Sequence, residues 1–513
     1  MSLLIGLDIG TTSVKAGVFD PSGRQLAGAV QEYRIDHPAP DRAEIDAATY
    51  WDATTVAVRR VLGSTGVDPA RVVAIAVSSQ GETVVPVDAN GRPLGPAITW
   101  LDNRALAEAR ELAERFGDAA VYDRTGVPAV TPTWTACKLL WWRRHEPGLF
   151  ARTRRFLLVE DLLLHRLSGR FVTEGGVQST SLLYDIRGDA WWDAMLEAVG
   201  IGPDRLPEIV RPGAVVGSLS AAAARELGLP RRVRVVAGGM DQGAGAVGVG
   251  NIGSGVVSES TGGALTLQAS IDQPGGDPTR QTPVYVHSAP DRYLYCPVCP
   301  TGGMALTWFR DQFGAEEIAQ AARDVAGGSA YDRLTALAAG VPPGAEGLIM
   351  LPHLMGAFSP EYEPQASGVF FGFTLHHGKP HFVRAVLEAV AFMLRRNLEL
   401  LTGAGAQAFE IRSHGGGSRS TLWNQIKADA CGLPVVTLEG GDAAVRGDAM
   451  IAGVAAGVFP DLAAACTAMV TIKDRYQPDP AARAAYDEAY GRYVRLFDTL
   501  RPLFATGGRP AGS

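Results

Sequence analysis

The stretch Leu3 to Lys15 sets one carboxylate and two hydroxyls around a glycine. An apolar run reaches Asp8, Gly10-Thr11-Thr12 turns the chain, and a second strand-like run carries it to Phe19. Gly10 lets the backbone come close to a bulky anion. The hydroxyls of Thr11 and Thr12, with nearby backbone N–H groups, can cradle phosphate oxygens. Ionised Asp8 only accepts hydrogen bonds, so it repels a bare phosphate and needs a cation between them. Mg2+ suits that place because it keeps its waters and bridges carboxylate to phosphate. Taken alone, the same tip reads equally as an ordinary hairpin with a Gly-Thr turn.

Asp241 follows the strand-like run Val233–Ala237 through Gly238-Gly239-Met240 and precedes Gln242. A carboxylate at a strand's end, beside close-packed glycines, is placed to take a proton from a substrate hydroxyl; a helix N-cap is the structural alternative. Gln80-Gly81-Glu82 follows the buried run Val72–Val77, and Trp100 with Asp102 and Arg104 comes next. Polar groups at the mouth of a strand suit a polyhydroxylated ligand, whereas a Trp packed under a helix explains the second group as well.

Gly415-Gly416-Gly417, between a strand and a helix, admits a flat or anionic ligand to the backbone or makes a tight turn. No Walker A pattern occurs, and the two overlapping Gly-x-Gly-x-x-Gly matches, 243–248 and 248–253, begin several residues after their strand. They read as packing glycines on a helix and its end rather than as a dinucleotide site. Cys296-x-x-Cys299 lacks the second ligand pair a structural zinc needs, so ordinary thiols are expected. His376, His377 and His381 have no acidic partner at metal spacing and read as a loop before a helix.

Three strand-like runs, Leu3–Asp8, Ser13–Phe19 and Gln25–Tyr33, must carry the first tip. Helical spacing follows at Tyr50–Leu62, Arg104–Phe116, Thr135–His145, Leu157–Leu167 and Ala190–Val199. About halfway down the chain, Val256–Ser258, the turn Ser260-Thr261-Gly262-Gly263 and Ala264–Leu267 repeat the opening hairpin, which suggests two domains of one ancestry. Beyond it, helices are expected at Ala305–Phe313, Pro380–Leu401, Leu422–Cys431, Ala443–Ala456 and Ala481–Leu500, with strands at Phe409–Arg412 and Pro434–Thr437. Strands alternating with helices throughout define the class as α/β.

The chain has 513 residues, too many for one ordinary core, so two large domains are expected. Hydrophobic content of 46% with 20% charged residues is globular in type. A net charge of −7 without a basic block argues against a nucleic-acid surface. No signal-peptide pattern or long apolar span is present, and five cysteines do not make a disulfide framework. A cytoplasmic protein with no membrane partner is the expectation.

Together these residues resemble the FGGY carbohydrate kinase family, over nearly the whole chain from Leu4 to about Pro478. Asp8-Ile-Gly-Thr-Thr resembles its first phosphate loop, Gly238-Gly-Met-Asp-Gln the segment holding its catalytic base, and Ser260-Thr-Gly-Gly stands at its second phosphate loop. Gly368-Val-Phe-Phe-Gly-Phe-Thr with Val383–Glu388 resembles its C-terminal signature; Gly415–Ser420 with Trp423 and Asp429 resembles its adenine-site turn and helix. The resemblance implies two actin-like, ribonuclease-H-type ATPase domains with a cleft between them: 1–252 for the sugar, 253–505 for the nucleotide, and a disordered tail at 506–513. It implies ATP and Mg2+ as cofactors, with Asp241 as the base and Asp8 holding Mg2+ through water. Gly10, Thr11, Thr12, Lys15, Thr261, Gly262, Gly303, Gly416 and Gly417 would face the nucleotide. Gln80, Gly81, Glu82, Trp100, Asp241 and Gln242 would face the sugar. A homodimer is left open.

The chain departs from the family pattern at Ser260, where Gly is usual, and at Val445-Arg-Gly-Asp448, where Gly-Ala-Ala is more usual. Glu82-Thr83 and Asp241-Gln242 look like glycerol kinases, but those have Arg where this chain has Gly81. Lys138-Leu-Leu-Trp-Trp with His145-Glu-Pro, and His37-Pro before Glu44-Ile-Asp46, look like xylulokinases, although those usually have Met-His where this chain has Gly81-Glu82. A ketopentose such as D-xylulose is therefore expected, with glycerol or another polyol second. A non-catalytic actin-like ATPase and a nicotinamide-dependent oxidoreductase are the alternatives of other classes.

Overall fold

The structure, a computed structural model, describes residues 2–64, 66–275, 277–324 and 327–506. The chain forms two compact units: Met1–Gly253 with Ser270–Tyr295 and Gly440–Thr471, and Ser254–Ala269 with Cys296–Glu439 and Ile472–Ser513. This differs from the contiguous halves expected at 252/253. The helix Ala443–Ala455 returns to the first unit because its small residues allow close packing there: a Cβ on Gly6 would strike the Val445 carbonyl, and one on Gly447 would strike that of Ala244.

The first unit is built on a six-stranded sheet in the order Val215–Ser218, Arg234–Met240, Val72–Ser79, Leu3–Ile9, Ser13–Phe19, Gln25–Glu32. The three strands Arg234–Met240, Val72–Ser79 and Leu3–Ile9 are parallel, and the hairpins at either side are antiparallel. Every residue of Leu3–Ile9 is buried, as expected of a central strand covered on both faces. The helix Ala48–Leu62 covers one face with Tyr50, Ala57, Val58 and Val61, and Val445, Ala449 and Ala452 cover the other.

The second unit repeats the plan. Gly255–Thr261 pairs antiparallel with Leu265–Ile271 and parallel with Ala408–His414, as Leu3–Ile9 does with Ser13–Phe19 and Val72–Ser79. Val435–Leu438 and Ile472–Tyr476 extend this sheet, and the helices Lys379–Gly403 and Thr421–Cys431 pack beside each other, with the Trp423 indole N–H on the Leu387 carbonyl at 2.9 Å.

Two expected helices are shorter than their apolar spacing. Leu157 and Leu158 belong to the strand Arg155–Leu158, paired with Val84–Val87, and the helix is Val159–Ser168. Asp161 accepts from the Leu158 N–H at 2.8 Å, which starts the helix there. Ala190–Trp191 likewise pairs with Tyr184–Asp185 before the helix Asp193–Val199. The last helix runs to Thr506; the remainder of the tail expected at 506–513 lies outside the described residues. Among the described residues no helix is long and apolar enough to cross a membrane.

Candidate active site

Strand register assembles the first group of side chains. Asp8 lies opposite Lys15 on one side and Ser78 on the other. Met240 lies opposite Ser79, so Asp241 opens the helix Asp241–Gly248 at the end of the third parallel strand. Ligands of open α/β sheets bind beyond these carboxyl ends.

Asp8 is 3% exposed. Its Oδ2 accepts from Lys15 Nζ at 3.1 Å, and Lys15 also reaches Asp442 Oδ2 at 2.8 Å. Its Oδ1 is buried without a hydrogen-bond partner. Burial pushes the Asp8 carboxyl up to about 6, against the pull of Lys15. Burial also raises Asp241, to about 7, helped by the charge of Asp8 and opposed by the 2.6 Å bond from the Gln242 N–H. A carboxylate that titrates near neutrality is suited to taking a proton.

The Glu82 backbone is clamped on three sides. Its N–H donates to Thr180 Oγ1 at 3.0 Å, and its carbonyl accepts from Thr135 Oγ1 and Lys138 Nζ, each at 3.1 Å. Glu82 is thereby held at a φ of 57°, a conformation a non-glycine residue keeps only when its surroundings impose it. Burial raises its carboxyl to about 8, opposed by Lys138 and reinforced by Asp241. Gly81 has no room for a side chain, because a Cβ there would lie 2.5 Å from Thr180 Oγ1. Gln80 is buried, with its Oε1 unpartnered and its Nε2 3.3 Å from the Tyr50 hydroxyl. Trp100 is 37% exposed, and its indole N–H donates to Thr11 Oγ1 at 2.8 Å. It does not pack under a helix, whereas Arg104 does go inside, paired with Asp102 at 2.7 Å and lying over Trp141.

Lys138 enters the sequence reading only as part of a segment that resembles xylulokinases, and Thr180 and Asp442 do not enter it at all. Lys138 has a signal, as a lone cation among Cys137, Leu139, Leu140 and Trp141 on a helix with no other charge until Arg143. Thr180 and Asp442 have none, being far in sequence from what they hold. Asp448, a departure from the family pattern, lies beneath Ser78 in the first unit, its Oδ1 2.5 Å from where a Cβ on Gly238 would stand. Ser78 Oγ donates to its Oδ2 at 2.8 Å, and burial raises its carboxyl well above the usual range.

In the second unit three glycine turns interlock. A Cβ on Gly417 would lie 2.6 Å from Thr261 Cβ, and one on Gly303 would strike the Gly262 carbonyl. Gly302 N–H donates to Gly263 O at 2.8 Å, while Gly415 takes a φ of 77°. Gly262 and Gly416 are exposed, so backbone is presented outward. Ser260 lies within the strand and needs no positive φ, so the turn keeps its shape without the usual glycine.

The Thr261 side chain turns inward. It is 1% exposed, and its hydroxyl donates to Glu259 and accepts from Lys427 Nζ at 2.9 Å. The side chain locks the turn from inside and leaves the outward contacts to the backbone. Asp429 also turns inward, accepting from the Asp479 N–H at 2.8 Å. The first Gly-x-Gly-x-x-Gly run forms the helix Asp241–Gly248, where Gly248 touches the Ala443 carbonyl, which excludes a strand-to-helix dinucleotide turn.

Comparison with known proteins finds the FGGY family of carbohydrate kinases twice, its N-terminal domain at residues 3–248 and its C-terminal domain at 267–456. The xylulose kinase of Escherichia coli K12 is 31% identical over 504 residues, covering 98% of this chain and 100% of that protein. The chain belongs to the FGGY family of carbohydrate kinases. Other members of the family are similar too. The gluconokinase of Bacillus subtilis is 30% identical over 442 residues, 85% of this chain and 84% of that one. The xylulose kinase structure from Rhodospirillum rubrum matches with a TM-score of 0.87 at 31% identity, covering 98% of this chain and 100% of that one. This FGGY kinase is therefore an ATP-dependent sugar kinase built on two actin-like domains.

Proposed function

We propose that this FGGY kinase phosphorylates a neutral ketopentose, D-xylulose first, giving xylulose 5-phosphate, with the sugar on the first unit and the nucleotide on the second. The observation that carries the reading is geometric: Lys138, in the segment that resembles xylulokinases, holds the Glu82 carbonyl at 3.1 Å and so ties that segment to the carboxyl placed for sugar hydroxyls. The E. coli and R. rubrum xylulose kinases support the same substrate. Glu82 and Gln242 favour glycerol or a tetritol as the second reading, but the guanidinium expected beside Glu82 in that group has no place at Gly81.

Asp241 takes the proton of the sugar hydroxyl as its oxygen bonds to the γ-phosphorus. The bond from that phosphorus to the β–γ bridging oxygen breaks, and ADP leaves with the electron pair. Lys15 and the turn Gly10–Thr12 meet the phosphates of the donor. Mg2+ fits Asp8, whose buried Oδ1 lacks a partner, and would neutralise phosphate charge there. Trp100 fixes the Thr11 hydroxyl, and the backbone turns at Gly262 and Gly416 line the nucleotide.

A coupled ADP-release assay over D-xylulose, L-xylulose, D-ribulose, L-ribulose, glycerol, erythritol and gluconate tests the substrate. A dominant D-xylulose response is expected. A response confined to glycerol or erythritol replaces it with the second reading, and a dominant gluconate response overturns the ketose reading.

A further inference from the structure

The three histidines of the second unit acquire in the fold the acidic partner that their local spacing lacks. Glu346 stands 30 residues before His376, in the turn Gly344–Gly347, where all four residues have positive φ. Two of these, Ala345 and Glu346, are not glycine, so the turn is held against its preference. Its anchors are Glu388, which accepts from Gly344 N–H at 3.0 Å, and Arg492, which donates to Gly347 O at 3.1 Å. His377 gives a third, its Nε2 3.4 Å from the Glu346 carbonyl while its Nδ1 accepts from the Thr374 N–H at 2.9 Å.

The anchored turn aims the Glu346 carboxylate at two imidazoles. His376 Nε2 lies 2.5 Å and His381 Nε2 3.3 Å from the same oxygen, Oε2. One ligand atom from each of the three residues falls within 4.8 Å of the others. Two imidazole nitrogens and one carboxylate oxygen form a ligand set of the kind that binds zinc, with water at the remaining positions. Ligand bonds of about 2.0–2.2 Å require separations a little above 3 Å, so loading opens the His376–Glu346 contact and draws the outer pair inward.

We propose that Glu346, His376 and His381 form a surface site for a divalent transition-metal ion, zinc first, that clips the turn Gly344–Gly347 to the start of the helix Lys379–Gly403. His377 positions Glu346 and is not a ligand, because both of its ring nitrogens are taken. Binding takes from each imidazole the Nε2 proton that Glu346 accepts, and in each neutral ring that proton is carried at Nδ1 instead. In His381 that Nδ1 accepts from the Gly378 N–H at 3.1 Å in the metal-free protein, so one exposed cap bond is lost. That loss is small beside the binding of a zinc ion by three ligands. The site stands apart from the kinase reading, since no residue of the proposed reaction belongs to it.

The test is zinc titration of the full, tag-free chain in competition with a fluorescent chelator. One saturable equivalent is expected, weakened at least tenfold in Glu346→Gln and in His376→Asn, and unchanged in the distant control His37→Asn. Zinc should raise the unfolding temperature of the wild type but not of Glu346→Gln, a variant that keeps the size of the side chain. Equal affinity in the wild type and in the His376→Asn/His381→Asn double variant overturns the proposal, and so does the lack of any saturable equivalent in the wild type.

Discussion

Glu259 and Lys427 meet at 3.0 Å with both side chains wholly buried beneath the turn that follows Thr261. The strand register places Glu259 opposite Ser413, whose hydroxyl donates to the same carboxylate at 2.6 Å. Lys427 closes the set from the helix Thr421–Cys431. A buried charge is tolerated when it is paired and its remaining donors are used, and here Thr261 uses the last of them.

Lys427→Met therefore leaves an uncompensated carboxylate inside the second unit. Removing one partner of a buried pair destabilises by about 3–5 kcal/mol, so a clear drop in unfolding temperature is expected. The double variant Lys427→Met with Glu259→Leu should recover most of it. Thermal unfolding of the single and double variants reads the difference, and additive losses would contradict a coupled pair.

Gly81→Ala should raise the KM for the sugar more than the KM for ATP. The added Cβ would press on Thr180 Oγ1, which holds the Glu82 N–H. Thr180→Ala frees the space but gives up that bond, so the double variant should regain part of the sugar affinity lost in Gly81→Ala. Steady-state kinetics with each substrate varied in turn checks both statements.

The opening hairpin, its repeat at Ser260–Gly263 and the carboxylate after Gly238-Gly239 were legible, because turn glycines and apolar runs are local signals. Lys427, Thr180 and Asp442 were not. Lys427 lies 168 residues from Glu259, and Asp442 lies 427 from Lys15, so neither pairing leaves a periodic trace. Thr261 shows the same limit from the other side. The family resemblance implies a nucleotide contact there, while the direction of its hydroxyl is set by a lysine on a distant helix. The return of Ala443–Ala455 to the first unit was hidden for a related reason: small residues announce close packing but not the partner.

The acid limb of kcat/KM should fall about tenfold per pH unit below about 7. Burial raises the Asp241 carboxyl to about 7, and only its ionised form takes the proton, so activity is lost as pH drops through that value and is retained above it. The Lys15 charge lowers this value, so Lys15→Met should move the limb to higher pH as well as lower the rate. A flat profile between pH 5.5 and 8 would contradict the raised carboxyl.

The most direct test of the account is Asp241→Ala, read by single-turnover phosphoryl transfer and by ATP protection against heat. The account predicts a loss of transfer of about 10²–10⁴-fold, the usual worth of a positioned general base, with ATP protection close to that of the wild type. Transfer at the wild-type rate in that variant would contradict it.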